Sequence, residues 1–242
     1  MVPFVIPLIL VVRTSLRGEG LGNYAAVLTE SPFFRFLTNS AVIAAGSVLA
    51  VYALTMLAGY AFAKLRFPGR TVLFNALLVG LMVPTVALLV PLFVTVQRLG
   101  LFNSYAAVIV PLTATIVPFT LLLVRNYMAG LPDEILEAAR IDGCSTLGTL
   151  WRVVLPLSRP ISAVVVVWSF LNSWNEFFLP LIFLQDPGKQ AITQVPLYFA
   201  SQYGSDIPKI FAAVVLISLP VVLAYLFLQR YFERGMTAGA VK

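Results

Sequence analysis

The sequence contains no histidine and a single cysteine, Cys144. Without histidine there is no imidazole general base and no histidine-containing metal site. One cysteine excludes an intrachain disulfide and a cysteine zinc cluster. Charge is scarce as well. Only 11% of the 242 residues are Asp, Glu, Lys or Arg, against about 25% in a soluble domain. The nucleotide and hydrolase signatures GxxxxGK[ST], HExxH and GxSxG are missing, so any ATP this protein uses must be bound by another subunit. The alternating ~10-residue strands of an outer-membrane barrel are missing too.

What remains is apolar. Hydrophobic residues make up 60% of the chain and the mean hydropathy is +0.95. Water cannot solvate a surface of that composition. A soluble domain, a disordered chain and a nucleic-acid binder are excluded, and an all-α polytopic helical bundle in a membrane is expected. The net charge of +6 is then information about topology, because Lys and Arg collect on the cytoplasmic side.

A spanning helix takes about 20 apolar residues. Five stretches qualify: Phe36–Ala63, Val72–Val96, Tyr105–Val124, Ile161–Leu184 and Ile210–Gln229. The only charged side chain in them is Glu176. Met1–Val12 is apolar but too short to span, and it lacks the basic region and cleavage site of a signal peptide. It reads as the second half of a sixth span that begins upstream of Met1, or else as a re-entrant or interfacial segment. The expected division is a partial first span and external segment (1–35), a membrane domain (36–231) containing a long loop (126–160), and a tail (232–242).

The connections alternate in charge. Lys64, Arg66, Arg70, Arg125, Arg140, Arg152, Arg159, Arg230, Arg234 and Lys242 fall on one side. Arg13, Arg17, Arg35, Arg98, Lys189 and Lys209 fall on the other. The larger set marks the cytoplasm, which places the C-terminus inside and Gln185–Lys209 outside. Six prolines (Pro84, Pro91, Pro111, Pro118, Pro180 and Pro220) lie in the spans, where they kink helices and free backbone groups that neighbours must satisfy. The pairs Ala41/Ala45, Gly46/Ala50 and Gly59/Ala63 allow helices to approach closely.

The loop Arg125–Pro160 differs from the other connections. Leu131-Pro132-Asp133-Glu134 is a helix start, with proline in the first turn and acids near the positive end of the dipole. Ile135, Leu136 and Ala139 form an apolar face. Gly143 stops this helix, and Ser145 caps a second one that runs through Trp151 to Leu155-Pro156. Such a helix–turn–helix is either an elbow lying on the headgroups or a knob that docks into a partner protein.

The residues favour the second use by resemblance. Glu137-Ala138-Ala139, then Gly143 after three residues, then Val153 and Leu155-Pro156, resembles the EAA loop of bacterial ABC importer permeases, EAA-x3-G-x9-I-x-LP. The one departure is Val153 for isoleucine, and Asp142 before the glycine also fits. Asn172-Ser173-Trp174-Asn175-Glu176-Phe177-Phe178, the tail Gly235–Lys242 and Asn39-Ser40 are similar to the carbohydrate-uptake branch. There the likeness is to the maltose-type second permease, a six-span protein, whereas this chain holds only part of the first span.

The resemblance implies a type-1 ABC importer transmembrane domain in a bacterial inner membrane. Its implied partners are a second permease, an ATPase dimer that binds ATP and Mg, an external solute-binding protein, a sugar and membrane lipid. No cofactor is implied in this chain, and the chain is not itself an enzyme. Glu137, Ala138, Ala139, Asp142, Gly143, Leu155 and Pro156 are the implied ATPase-coupling residues. Glu137 would pair with a basic residue of the ATPase.

Glu176 has a reading independent of the resemblance. A carboxylate in hydrocarbon costs several kcal/mol, so it should face a cavity or a partner. Asn172 and Glu176 at i,i+4, with Asn175 beside them, form either a polar stripe along a solute path or a hydrogen-bond cluster that fixes the bundle. Trp168 and Trp174 suit sugar stacking, but packing explains each alone equally well. Thr113, Thr115 and Thr120 either line a path or bond back to their own helix. Cys144 reads as a turn residue. Import of glycerol phosphate or another polyol-like solute is the nearest alternative, although the spans lack the bases a phosphate would call for. A self-sufficient carrier or channel would not need the docking loop, and an intramembrane enzyme would need a companion for Glu176.

Overall fold

The computed structural model describes residues 2–200 and 204–237. Among the described residues the regular structure is helical, with no strand. The α-helices are α1 (Val2–Ser15), α2 (Gly22–Glu30), α3 (Phe33–Lys64), α4 (Arg70–Val79), α5 (Leu89–Arg98) and α6 (Ala106–Ala129). They continue with α7 (Asp133–Ile141), α8 (Thr146–Thr149), α9 (Leu155–Leu157), α10 (Arg159–Trp174), α11 (Phe178–Phe183) and α12 (Ile207–Thr237).

Three of these helices are long and apolar enough to cross a membrane unaided: Phe33–Lys64, Ala106–Ala129 and, within α12, Ile207–Ala224. The count reaches five only if each of two sharply bent pairs is taken as one span.

One bent pair corrects the expected span Val72–Val96. Arg70–Met82 and Thr85–Arg98 meet at 96°. The helix tightens into a 3-10 turn over Gly80–Met82, stops at Val83-Pro84, and resumes as a 3-10 turn over Thr85–Leu88. Pro84 supplies no N–H, and its ring clashes with the preceding turn, so the α-helix cannot run through it. The expected span Ile161–Leu184 is also interrupted. Helix α10 stops at Trp174, Asn175–Phe177 is irregular, and α11 restarts at Phe178. At its other end α10 meets Thr146–Leu157 at 82°, an elbow between the loop and the bundle.

The bundle is organised around α3 and α6, which run parallel in close contact. Gly46 lies under Ile109, and a Cβ there would come 2.7 Å from Ile109 Cδ1. Gly59 lies against Val124 in the same way. The absent side chains let the two backbones approach, as the small-residue pattern predicts. Ile43, Val51, Val108, Leu112 and Val124 form the core between them. Helix α10 runs antiparallel along α3, where Tyr52 and Ser162 share a 3.2 Å hydrogen bond. Helix α12 closes the far side, against α10, α1 and α2. Trp174 Nε1 donates to Ile217 O there at 3.0 Å, so this tryptophan is a buried anchor.

The segment at 1–35 is two helices. With 14 residues α1 is about 21 Å long, short of the ~30 Å hydrocarbon layer, and it packs along α12. The chain then reverses through Gly18 and Gly20, and Asn23 ties the turn by donating to Ser15 O and Arg17 O. No break in the backbone separates 36–231 from the expected tail, because α12 continues to Thr237. Residues 238–242 of the tail, and Tyr203 of the expected external segment, lie outside the described residues.

Candidate functional site

Two places in the molecule carry unusual chemistry. The first is the helix–turn–helix. Helix α7 begins after Pro132, with Asp133 and Glu134 in its first turn. It ends in a turn where Gly143 N donates to Arg140 O and Cys144 N to Ala139 O. Gly143 takes φ +79°, the left-handed conformation that glycine adopts without penalty. Ser145 Oγ then accepts from Gly148 N at 3.1 Å and starts α8. The second helix passes through one π turn, Leu150–Val154, before Leu155-Pro156.

Burial divides the motif into two faces. Leu136, Ala139, Leu150 and Val154 are buried against the bundle. Glu137, Ala138, Asp142, Gly143 and Pro156 are exposed, while Leu155 is half-buried against the core. Ile135, expected on one apolar face with Leu136 and Ala139, is exposed while those two are buried. The outer face also holds large apolar side chains that the sequence pattern did not single out. Ile141 is 86% exposed, Trp151 63%, and Leu147 stands beside them. Exposed apolar residues clustered on a polar loop mark a contact surface for a protein or for the membrane. Their signal in the sequence was placement: each lies within eight residues of Gly143.

The loop is fastened to the bundle at its start. Lys64 Nζ donates to Leu131 O and to Asp133 Oδ1, both at 2.6 Å. This hydrogen bond and the lysine's charge hold the Asp133 carboxyl below the usual carboxylate range. A lowered pKa means the link is present at neutral pH. It is lost only in acid, as the pH falls through that lowered value.

The second place is an open-sided cavity of 360 Å³ on the flank of the bundle, within the ~300–1,000 Å³ range of small-molecule sites. Both interrupted spans face it. Gly80, Thr85 and neighbours come from the 96° break, Thr115 and Phe119 from α6, and Trp168, Asn172 and Glu176 from the end of α10. Irregular backbone at membrane depth is tolerated where it lines a cavity, and both breaks do so here.

Glu176 is not on the same helix face as Asn172, because α10 ends before it. Its Oε1 accepts from Leu179 N at 3.0 Å and caps α11. Its backbone oxygen accepts from Thr193 Oγ1 at 2.9 Å. Asn172 Nδ2 donates to Trp168 O at 2.8 Å. Asn175 lines an adjoining hollow with Leu171, Asn172 and Glu176, not the main cavity. The Trp168 indole is 39% exposed and stacks obliquely on Phe119, with centroids 4.8 Å apart. The threonines divide: Thr115 lines the cavity, while Thr120 bonds back to Ile116 O and Thr113 is buried. Cys144 is half-buried in the loop turn.

A family model described as the binding-protein-dependent transport system inner membrane component matches residues 53–238. The chain belongs to this family. Among its relatives, the arabinooligosaccharides transport system permease protein AraQ of Halalkalibacterium halodurans is 35% identical over 223 residues, covering 92% of this chain and 79% of that protein. The diacetylchitobiose uptake system permease protein NgcG of Streptomyces coelicolor is 33% identical over 222 residues, covering 91% and 74%. The fold matches a bacterial alginate ABC transporter crystallised with its alginate pentasaccharide-bound periplasmic protein. The TM-score is 0.76 at 16% identity, over 96% of this chain and 92% of that one. The permease therefore has the type-1 ABC importer transmembrane fold and is a multi-pass membrane component of a binding-protein-dependent transporter. Family membership replaces the self-sufficient carrier, although the two broken spans are features that such carriers share.

Proposed function

We propose that this permease imports a neutral sugar. An external binding protein delivers the sugar to the cavity at Glu176, and an ATPase docks on the outer face of the helix–turn–helix and drives the import. The carrying observation is the cavity wall. Its lining residues include one carboxylate and no base, with an indole and an amide beside them. An aromatic face and hydroxyl-pairing oxygens suit a sugar. A phosphorylated solute would meet an acid with nothing to neutralise its charge. The sugar-transport names of the relatives point the same way.

In this reading the basic connections are cytoplasmic, and so are the coupling loop and the C-terminal end of α12. Gln185–Lys209 is external. A second permease supplies the other wall of the pathway. Glu137, Ala138, Asp142 and Gly143 face the ATPase together with Ile141, Leu147 and Trp151. Ala139 and Leu155 hold that surface on the bundle, and Pro156 is exposed beside it. ATP and Mg stay with the ATPase.

The test is uptake by cells with and without the intact permease, against a panel of radiolabelled neutral oligosaccharides and sn-glycerol 3-phosphate. Loss of uptake confined to a neutral sugar is the expected result. Loss confined to the phosphate ester would overturn the assignment in favour of the polyol-phosphate cargo.

A further inference from the structure

Helix α3 contributes no side chain to the cavity lining, yet it is the longest helix among the described residues. It runs 32 residues without a break, about 48 Å at 1.5 Å per residue. That exceeds the ~30 Å hydrocarbon layer, so both ends project. The other two long spans carry internal prolines, Pro111 and Pro118 in α6 and Pro220 in α12, and α3 carries none.

Its two ends are tied to different parts of the molecule. At the external end, Asn39 Nδ2 donates to Gly188 O at 3.0 Å and to Gln190 O at 2.8 Å. Asn39 Oδ1 accepts from the Tyr105 hydroxyl at 2.7 Å. The next residue, Ser40, accepts at Oγ from Ile192 N at 2.8 Å. These bonds seat the external segment on the top of α3, with Ile192 and Val195 buried in the core below. Residues 188–195 of the connection between α11 and α12 are therefore a packed piece.

At the cytoplasmic end the tie is Lys64. Its side chain is only 7% exposed, whereas the Asp133 carboxylate it meets is 77% exposed. A lysine that ends a helix at a membrane surface normally extends into water. This one is held under the first turn of α7. Its bond to the Leu131 carbonyl fixes the main chain just before Pro132. Helix α7 cannot shift relative to α3 without breaking a charge-assisted hydrogen bond from a buried donor.

We propose that α3 is a connecting rod, and that Lys64 and Asn39 are the positioning residues at its two ends. When the ATPase displaces the coupling loop, Lys64 transfers the displacement to α3. Asn39 and Ser40 then carry the external segment along with it. This proposal rests on the docking reading of the coupling loop.

The test uses the complete transporter in liposomes, with its own ATPase and partner permease, in a Cys144→Ser background. Nitroxide labels go on Arg152→Cys in the loop and Leu197→Cys in the external segment. Each is measured by pulsed electron resonance against a label on Val72→Cys, before and after Mg-ATP and vanadate. Without further change, both distances should shift on trapping. Lys64→Gln and Asn39→Ala should each keep the loop shift and lose the external shift. Lys64→Arg, which keeps the charge and the donors, should restore it. Thermal melting should be unchanged in the two Lys64 variants, whereas Asn39→Ala, which loses three hydrogen bonds, should melt somewhat lower.

An external shift that persists in Lys64→Gln and Asn39→Ala would overturn the rod and leave the docking reading intact. A loop label that does not move in the parent transporter would overturn both. Loss of the external shift in Lys64→Gln together with a lowered melting temperature, not repaired by Lys64→Arg, would show that this lysine only holds the fold and would also overturn the proposal.

Discussion

Gly143→Val is expected to abolish solute uptake while leaving the membrane bundle folded. Gly143 holds φ +79°. An L-residue in that conformation costs about 1–2 kcal/mol, and a β-branched one more. Nothing lies within 4 Å of where its Cβ would be, so the penalty is conformational and not a clash. The turn sits on the exposed face of the loop, outside the apolar core, and the bundle has no reason to melt. What changes is the angle between α7 and α8. That angle sets Glu137 and Ile141 on one arm against Leu147 and Trp151 on the other.

An interface whose central side chains are displaced loses at least one hot spot of about 2 kcal/mol, which is roughly a 30-fold effect. ATP-driven uptake should fall by that factor or more, with the melting temperature of the purified permease unchanged. Gly143→Asn should be milder, because asparagine tolerates the left-handed region better than other side chains. Wild-type uptake by Gly143→Val would mean the turn is not a coupling element.

Trp168→Ala is expected to cripple uptake through the cavity. The Trp168 indole is the largest apolar surface on a wall that also carries Asn172 and Glu176. It is held in place by Phe119 and presents its remaining surface to the cavity. Removing a large side chain from ligand contact costs about 2–3 kcal/mol. The KM for uptake should rise about 30- to 160-fold. Trp174 is the built-in control. It is buried, and its indole is committed to Ile217 O. Trp174→Ala should lower the melting temperature and the amount of folded protein, not selectively the KM. If Trp168→Ala leaves KM unchanged, the cavity is not on the solute path.

The parts of this molecule that follow from hydrophobicity were legible in the sequence. The α3 and α6 spans stand close to the expected bounds, and the small-residue positions Gly46 and Gly59 are where α6 approaches. The helix–turn–helix was legible for a different reason. Its start, its glycine turn and its serine cap are local signals, and each acts within a few residues.

The first break was legible in part, since Pro84 was expected to kink its span, but its size was not, and the second break was hidden. Val79–Leu88 is apolar throughout apart from Gly80, Pro84 and Thr85. An apolar run reports that a segment enters the bilayer but not that it bends by 96° inside it. The same limit hid the role of Glu176. Spacing placed it on a helix face with Asn172, but the helix stops at Trp174 and the carboxylate caps the next one. The Lys64 tie was hidden because it joins residues 69 apart. Sequence periodicity carries no information about such a pairing.

The central claim is that this chain works as one half of an ATP-driven import pathway. The most direct measurement is gentle detergent purification of the tagged full chain from its native membranes, with its partners identified by mass spectrometry. The account predicts an ABC ATPase and a second permease in stoichiometric amounts, with the ATPase lost and the second permease kept in a variant with Ile141 and Trp151 replaced by aspartate. Recovery of the chain alone, or of an ATPase that stays bound to that variant, would contradict it.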